Sequence, residues 1–244
     1  MHQVYWLEQL EADLPAHNDW LSAGEAACLD TMRIPKRRAD WRLGRWTAKR
    51  AVAVCRRLPA DLYSLSQIEV RPAPSGAPEV FLRGQPSAVA ISLSHSCGTA
   101  LCALAESGVR LGCDLEAVEP RGPAFVTDYF TAAEQELIAH ADAAERPQLV
   151  TLLWSAKESA LKAIAEGLRL DTRDVDVKLA PAVSAAALAE GVAEESARWH
   201  PLEAHCKDGR LFQGWWWHGD GLVRTLLASP ASSPPIRLKI SPAA

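Results

Sequence analysis

The sequence has no Cys-x-x-Cys pair and no Cys-x-x-His pair. Its six cysteines, at 28, 55, 97, 102, 113 and 206, therefore lack zinc-ligand spacing, and a disulfide framework is not expected in a chain of 244 residues. They read as reduced cytosolic thiols. No apolar stretch approaches the roughly 20 residues needed to span a bilayer, which argues against a membrane protein. The opening run, MHQVYWLEQLEADLP, carries acids where a secretory leader needs a basic start and an apolar core. A cytoplasmic location is the expectation. No Gly-x-Ser-x-Gly elbow is present, which weakens a Ser-His-Asp hydrolase reading of Ser94-His95-Ser96. No internal sequence repeat is visible.

What is present is uneven charge. The net charge is −4, yet the segment from Arg33 to Arg57 holds ten Lys/Arg and only Asp40 as an acid, leaving the remainder at −13. A basic segment on an acidic protein points to a local anion site rather than to a general nucleic-acid binder. Ser22-Ala-Gly-Glu25 is a capping box that opens a short helix toward Met32. A longer helix is expected over 36–58, with Arg38, Arg42, Arg45, Lys49 and Arg56 along one face. Residues 68–93 read as short strands around the Pro/Gly-rich loop 71–78. Residues 99–105 and 109–114 read as a hairpin turning at Glu106-Ser-Gly108. Thr131-Ala-Ala-Glu134 is a second capping box, and Pro147 starts a helix ending near Glu166, with Gly167 as its stop. Strands follow at 174–179, 197–204, 210–217 and 222–228. The Ala-rich 180–195 segment fits helix or loop, the alternate tryptophans of Trp215-Trp-Trp217 are expected in the core, and the tail from Pro230 is expected to be loosely held.

Two short runs carry chemistry. Gly112-Cys-Asp114-Leu-Glu116 closes a strand, where positions 114 and 116 point to one side. Two carboxylates held together repel unless a cation lies between them, and an oxygen-only set favours Mg²⁺ or Mn²⁺. The same pair also fits a solvated strand end. Trp154-Ser-Ala-Lys157-Glu158-Ser-Ala-Leu-Lys162 is helical, so Trp154, Glu158 and Lys162 share a face. That pair is either a surface ion pair or, if shielded, an acid and an amine able to act on phosphate.

The order of these runs resembles the larger, surfactin-type class of 4′-phosphopantetheinyl transferases. The resemblance rests on Gly44-Arg45, Arg71…Gly76-Ala77-Pro78, Ser92-Leu-Ser94-His95-Ser96, Gly112-Cys-Asp114-Leu-Glu116, Phe130-Thr-Ala-Ala-Glu134 and Trp154-Ser-Ala-Lys157-Glu158-Ser-Ala-Leu-Lys162…Gly167-Leu168, over roughly residues 20–230. It implies an α/β (α+β) fold of two similar lobes related by a pseudo-twofold axis, each a small antiparallel sheet packed with a long helix. The lobes would be 1–112, carrying the basic helix, and 113–228, carrying the metal and catalytic motifs, with 229–244 as the tail. It further implies transfer of the phosphopantetheine arm of coenzyme A to a serine of an apo acyl or peptidyl carrier protein, by a monomer, with adenosine 3′,5′-bisphosphate released. Asp114, Glu116 and Glu158 would hold Mg²⁺ (Mn²⁺ suits the same oxygens), Glu158 would be the base, and Lys162 would steady the phosphate. Arg45, Arg71, Ser94, His95, Asp114 and Lys162 would contact coenzyme A, with Arg42 and Lys49 as weaker candidates. Phe130 and Glu134 would only shape the cleft.

Two departures stand out. Ala77 occupies the place of a family lysine, whose role would pass to Arg71 or Arg83, and Ala165 replaces the first of two family glycines. Two other functions fit the acids: a Mg²⁺-dependent nucleotide or phosphodiester hydrolase, and a non-catalytic module holding coenzyme A or a carrier. Nucleic acid is the least favoured partner.

Overall fold

A computed structural model describes residues 2–165, 170–180 and 199–240. Eleven strands and six α-helices are found among them, in two sheets. The first sheet has the order β11-β1-β5-β4-β3-β2, built from β1 (Tyr5–Leu10), β2 (Ile68–Pro72), β3 (Pro78–Leu82), β4 (Gln85–Ser96), β5 (Thr99–Glu106) and β11 (Ile236–Arg237). The second has the order β6-β10-β9-β8-β7, built from β6 (Arg110–Ala117), β7 (Val175–Leu179), β8 (His200–Cys206), β9 (Leu211–Gly219) and β10 (Leu222–Ser229). Apart from the short parallel β1–β11 pairing, every neighbouring pair is antiparallel.

Each sheet receives one long helix. α2 (Pro35–Cys55) packs on the first, around Trp46, Ala48, Ala51 and Val52. α6 (Arg146–Ile164) packs on the second, around Leu149, Leu152, Leu153, Ala156 and Ala160. A third apolar cluster joins the sheets, with Trp6 and Leu101 from the first and Cys113, Trp199 and Leu226 from the second. Across it, Arg224 on β10 reaches Glu8 on β1 through Nε at 2.6 Å and one terminal nitrogen at 2.8 Å, while its guanidinium lies over Trp217. Of the three consecutive tryptophans, Trp216 faces the α6 side and is fully buried; Trp215 and Trp217 pack into the joint between the sheets.

The two halves repeat one device. Ser22 caps α1 (Ala23–Thr31), and Thr131 caps α5 (Ala132–His140). In each box the glutamate three residues on, Glu25 or Glu134, turns its carboxylate inward. Glu25 accepts from the Val70 amide at 3.0 Å and pairs with Lys49 of α2. Glu134 accepts from the Val177 amide at 2.9 Å and pairs with Lys157 of α6 at 2.8 Å. Both ammonium groups also donate to two backbone carbonyls, Trp20 and Leu65 for Lys49, Thr172 and Val175 for Lys157. Each sits over an aromatic ring, Trp20 or Phe130, at 5.6 Å. Burial lowers both lysine pKa values, and the paired glutamate opposes that shift. The likeness of the two lobes that the resemblance implies is thus visible as a repeated interaction, although the residues around it differ.

Several expectations are corrected. Residues 99–105 and 109–114 do not form a hairpin. Both edges of β5 are taken, by β1 and β4, so the chain passes at Ser107–Val109 into the second sheet, where β6 pairs with β10. The tail is not loose over 230–240: the amides of Ile236 and Leu238 donate to Val4 and Trp6, and Leu238 is buried. Lys49 is not a ligand candidate, because it is fully enclosed in the pair with Glu25. Arg42 is committed to Asn18 and to the carbonyls of Pro15 and Ala16, and Arg38 to the carbonyl of Leu29. α6 ends at Ile164, with Ala165 in the left-handed region at φ 58°, ahead of the expected stop. Gly167 and Leu168, and the Ala-rich segment from 181, lie outside the described residues.

The buried pairs generate a stability prediction. Glu134→Ala leaves the Lys157 ammonium and the Val177 amide without their carboxylate, and should cost about 3–5 kcal/mol in urea unfolding. Glu134→Gln, which keeps a hydrogen-bonding oxygen, should cost clearly less. Equal losses would show that the charge pair is not what matters.

Candidate active site

Gly112 decides how closely α6 meets β6. A Cβ built at this position would lie 1.8 Å from the carbonyl oxygen of Ser159, so the strand backbone and the helix backbone are in direct contact there. Ser155 and Ser159 fasten the same helix to Thr225 on β10, at 2.9 and 2.7 Å. With the helix so close, residues flanking Ser159 fall against residues flanking Gly112. Lys162 donates to Asp114 Oδ1 at 2.8 Å and to the Cys113 carbonyl at 3.0 Å.

Asp114 is almost wholly buried at 4 % exposure, beneath β4. Its Oδ1 also accepts from Ser94 Oγ at 2.8 Å, while the neighbouring Ser92 Oγ accepts from the Cys113 amide at 2.9 Å. Its Oδ2 is buried with no protein partner among the described residues. Glu116, two residues on and on the same side, is held through Oε1 by the Trp154 indole N–H at 3.1 Å and through Oε2 by Arg121 at 3.4 Å. Glu158 lies one turn from both Trp154 and Lys162 on α6. Burial first, and Asp114 second, push the Glu116 and Glu158 carboxyls above their ordinary range. Lys162 is raised despite burial, chiefly by the Asp114 charge.

The three acids therefore oppose one another electrostatically across β6 and α6. Among the described residues, no group of three or more His, Cys, Asp or Glu is arranged to hold a metal ion as it stands. Both Glu116 oxygens are hydrogen-bonded, by Trp154 and Arg121. The donor set nonetheless suits a hard divalent cation: it is all oxygen, it is mutually repelling, and Asp114 Oδ2 is a buried acceptor without a donor.

Beside the acids runs a cleft of about 640 Å³, lined by the 72–78 loop, by 90–93 of β4, by 109–111 and by the last turns of α6. Arg45, Glu158 and Lys162 face it. Arg45 stacks on Trp41 at 4.8 Å, and its Nε is buried with no protein acceptor among the described residues. Two of the expected contact residues stand elsewhere. Arg71 lies over Phe81 and pairs with Glu69 at 2.7 Å. His95 is on the opposite side of β4 from Ser94, half exposed, with Nδ1 3.9 Å from Asp40. Neither lines the cleft. Ser94 is bonded to Asp114. Sequence reasoning missed Arg121, Arg110 and the donor role of Trp154. The helical spacing that puts Trp154 on the face of Glu158 and Lys162 is the available signal for Trp154. Arg121 lies in the Pro-containing stretch after β6 and had no such signal.

Comparison with known proteins adds one finding. Residues 110–208 match the family model described as 4′-phosphopantetheinyl transferase superfamily, a span that begins at β6 and includes every acid of the site. No curated protein matches the chain.

Two expected outcomes follow. Because the folded-state pKa values of Glu116 and Glu158 are raised, the metal-free protein holds its protons more tightly than the unfolded chain does. The contribution of these two groups to stability is then greatest below the ordinary glutamate range and declines as pH rises through the raised values. Thermal melts should show that decline, Glu158→Gln should flatten it, and millimolar Mg²⁺ should restore stability to the wild type at neutral pH but much less to the variant. A pH slope identical in both proteins would contradict the coupling. Gly112→Ala should force α6 from β6 and cost at least about 3 kcal/mol, read by urea unfolding.

Proposed function

We propose that this chain, whose residues 110–208 match the superfamily model, is a 4′-phosphopantetheinyl transferase of the larger, two-lobed class. It would act in the cytoplasm as a monomer, moving the phosphopantetheine arm of coenzyme A to a serine of an apo acyl or peptidyl carrier protein. The observation that supports this most is the assembly of Asp114, Glu116, Glu158 and Lys162 where α6 crosses β6, at one side of a cleft that Arg45 also faces.

In this reading the carrier serine oxygen forms a bond to the phosphorus that bears the pantetheine arm. The bond from that phosphorus to the bridging oxygen breaks, and adenosine 3′,5′-bisphosphate leaves with the electron pair. Glu158 accepts the serine proton, directly or through one water. Burial first, and the Asp114 charge second, raise its pKa above the ordinary glutamate value, which makes it a stronger base. Lys162, fixed by Asp114 and the Cys113 carbonyl, offers positive charge to the phosphate oxygens. Ser94 and Trp154 orient Asp114 and Glu116, and Arg121 holds the second Glu116 oxygen. Arg45 supplies a cation to the coenzyme within the cleft. Mg²⁺, when held by Asp114, Glu116 and Glu158, would neutralise charge on the diphosphate.

The test is direct. The protein, Mg²⁺, coenzyme A and a panel of apo acyl and peptidyl carriers are incubated, and intact-mass analysis should show one phosphopantetheine added to at least one carrier. Asp114→Ala should lose turnover by at least about a hundredfold while keeping its fold by circular dichroism. Coenzyme A consumed with no carrier modified would favour a hydrolase. Binding without any turnover would favour a non-catalytic module.

A further inference from the structure

A second cavity, of about 460 Å³, shares no lining residue with the cleft. It opens where α4 (Pro123–Tyr129), α5 and the first turns of α6 meet. Its volume is that of a small-molecule site. Val126 of α4, Ile138 and Ala139 of α5, and Pro147 and Val150 of α6 give it an apolar wall. No acid lines it, whereas two arginines do, Arg121 and Arg146. A cation would find no counter-charge there. An apolar body with one anionic head matches both the wall and the arginines.

The two guanidinium groups differ in what they have left to give. Arg146 donates to the carbonyls of Ile138, Ala139 and Ala141, at 3.2, 3.5 and 3.1 Å, where α5 ends. It contributes charge but few free donors. Arg121 lies over the Phe125 ring at 4.7 Å and approaches Glu116 Oε2 at 3.4 Å, which is long for a charge-assisted bond. Its Nε has no hydrogen-bond partner among the described residues.

Arg121 is therefore shared. It lines this cavity, which Glu116 does not, and it reaches Glu116 in the acid site. A planar carboxylate in the cavity can take the guanidinium in paired hydrogen bonds, a geometry that Glu116 does not achieve with it. Drawing Arg121 toward the cavity frees the Glu116 oxygen for a cation.

We propose that this cavity is a second ligand site, taking a small carboxylate with an apolar chain, and that Arg121 couples its occupancy to the acid site. The binding does not depend on the coenzyme A reading. Only its effect on the ion rests on Glu116 as a ligand of that ion.

Octanoate is the probe, with octanol and octylammonium as the same chain bearing no charge or the opposite one. Calorimetry should show saturable octanoate binding, at least about tenfold tighter than octanol, and no binding of octylammonium. Amide resonances of Thr127, Gln135 and Ala139 should shift. Ala139→Trp, at an exposed position of the wall, should block the site. Arg121→Gln should weaken octanoate binding by about tenfold, and Arg121→Lys should recover part of the loss. Saturating octanoate should lower the Mg²⁺ Kd by about three- to tenfold, and saturating Mg²⁺ should lower the octanoate Kd by the same factor. Arg121→Gln should abolish that reciprocity. Octanol binding as tightly as octanoate, shifts confined to residues 90–93 and 109–111 of the cleft, or normal binding by Ala139→Trp would overturn the site. Octanoate bound here with Mg²⁺ affinity unchanged would overturn the coupling, and the proposal with it. A protein that binds octanoate as expected but transfers nothing to any carrier would leave this inference standing and remove the transferase reading.

Discussion

The direct contact between strand and helix at Gly112 is the constraint on which the site depends. Nothing larger than hydrogen fits between the Gly112 α-carbon and the Ser159 carbonyl. Closing that distance puts Lys162 within 2.8 Å of Asp114 and brings Glu158 into the field of the same carboxylate. A helix held farther out by a side chain would leave the acids of β6 and the acid and amine of α6 as two separate, solvated groups. Surface pairs of that kind contribute little. Here the same residue types are enclosed; burial, then the Asp114 charge, raises the Glu116 and Glu158 carboxyls, and the oxygen set presents a common demand for a cation.

Close approach alone does not set the rotation of α6 about its axis, and in a helix one residue corresponds to about 100°. The buried Glu134–Lys157 pair fixes that angle. Lys157 is locked by a carboxylate and two carbonyls in the core of the second half, so the adjacent Glu158 has to emerge on the β6 side. The first half uses the same lock at Glu25–Lys49. There the residue following the lysine is Arg50 rather than a glutamate, and the acid of β1, Glu8, is paired with Arg224. The two halves share the scaffold that orients a long helix on a sheet. Only the second places carboxylates at the crossing, and the first contributes Arg45 to the cleft instead.

Much of this was legible in the sequence, for local reasons. Capping boxes are set by four consecutive residues, and both were read correctly at Ser22 and Thr131. Alternation placed Asp114 and Glu116 together, and helical spacing joined Trp154, Glu158 and Lys162. What failed was non-local. The 99–105 and 109–114 strands look like a hairpin because nothing in their sequence records that β1, from the other end of the first half, has already taken the β5 edge. The basic stripe of α2 misled for a related reason. Periodicity reports which residues share a face, not which are then consumed by neighbouring chain, and Arg38, Arg42 and Lys49 are consumed by carbonyls or a buried carboxylate.

That consumption changes what the positive segment does. Its net charge of +9 pointed to a local anion site, but charge already bonded to backbone or to an acid contributes a smaller field to a ligand than an unpaired one. The cations left to act in the cleft are few and differ in setting: Lys162 inside the acid cluster, Arg45 half-enclosed on an indole, Arg110 at the rim. Their order follows one strand, β6, whose alternating side chains run from Arg110 through Gly112 to Asp114 and Glu116, and one helix, α6, which brings Glu158 and Lys162 against it.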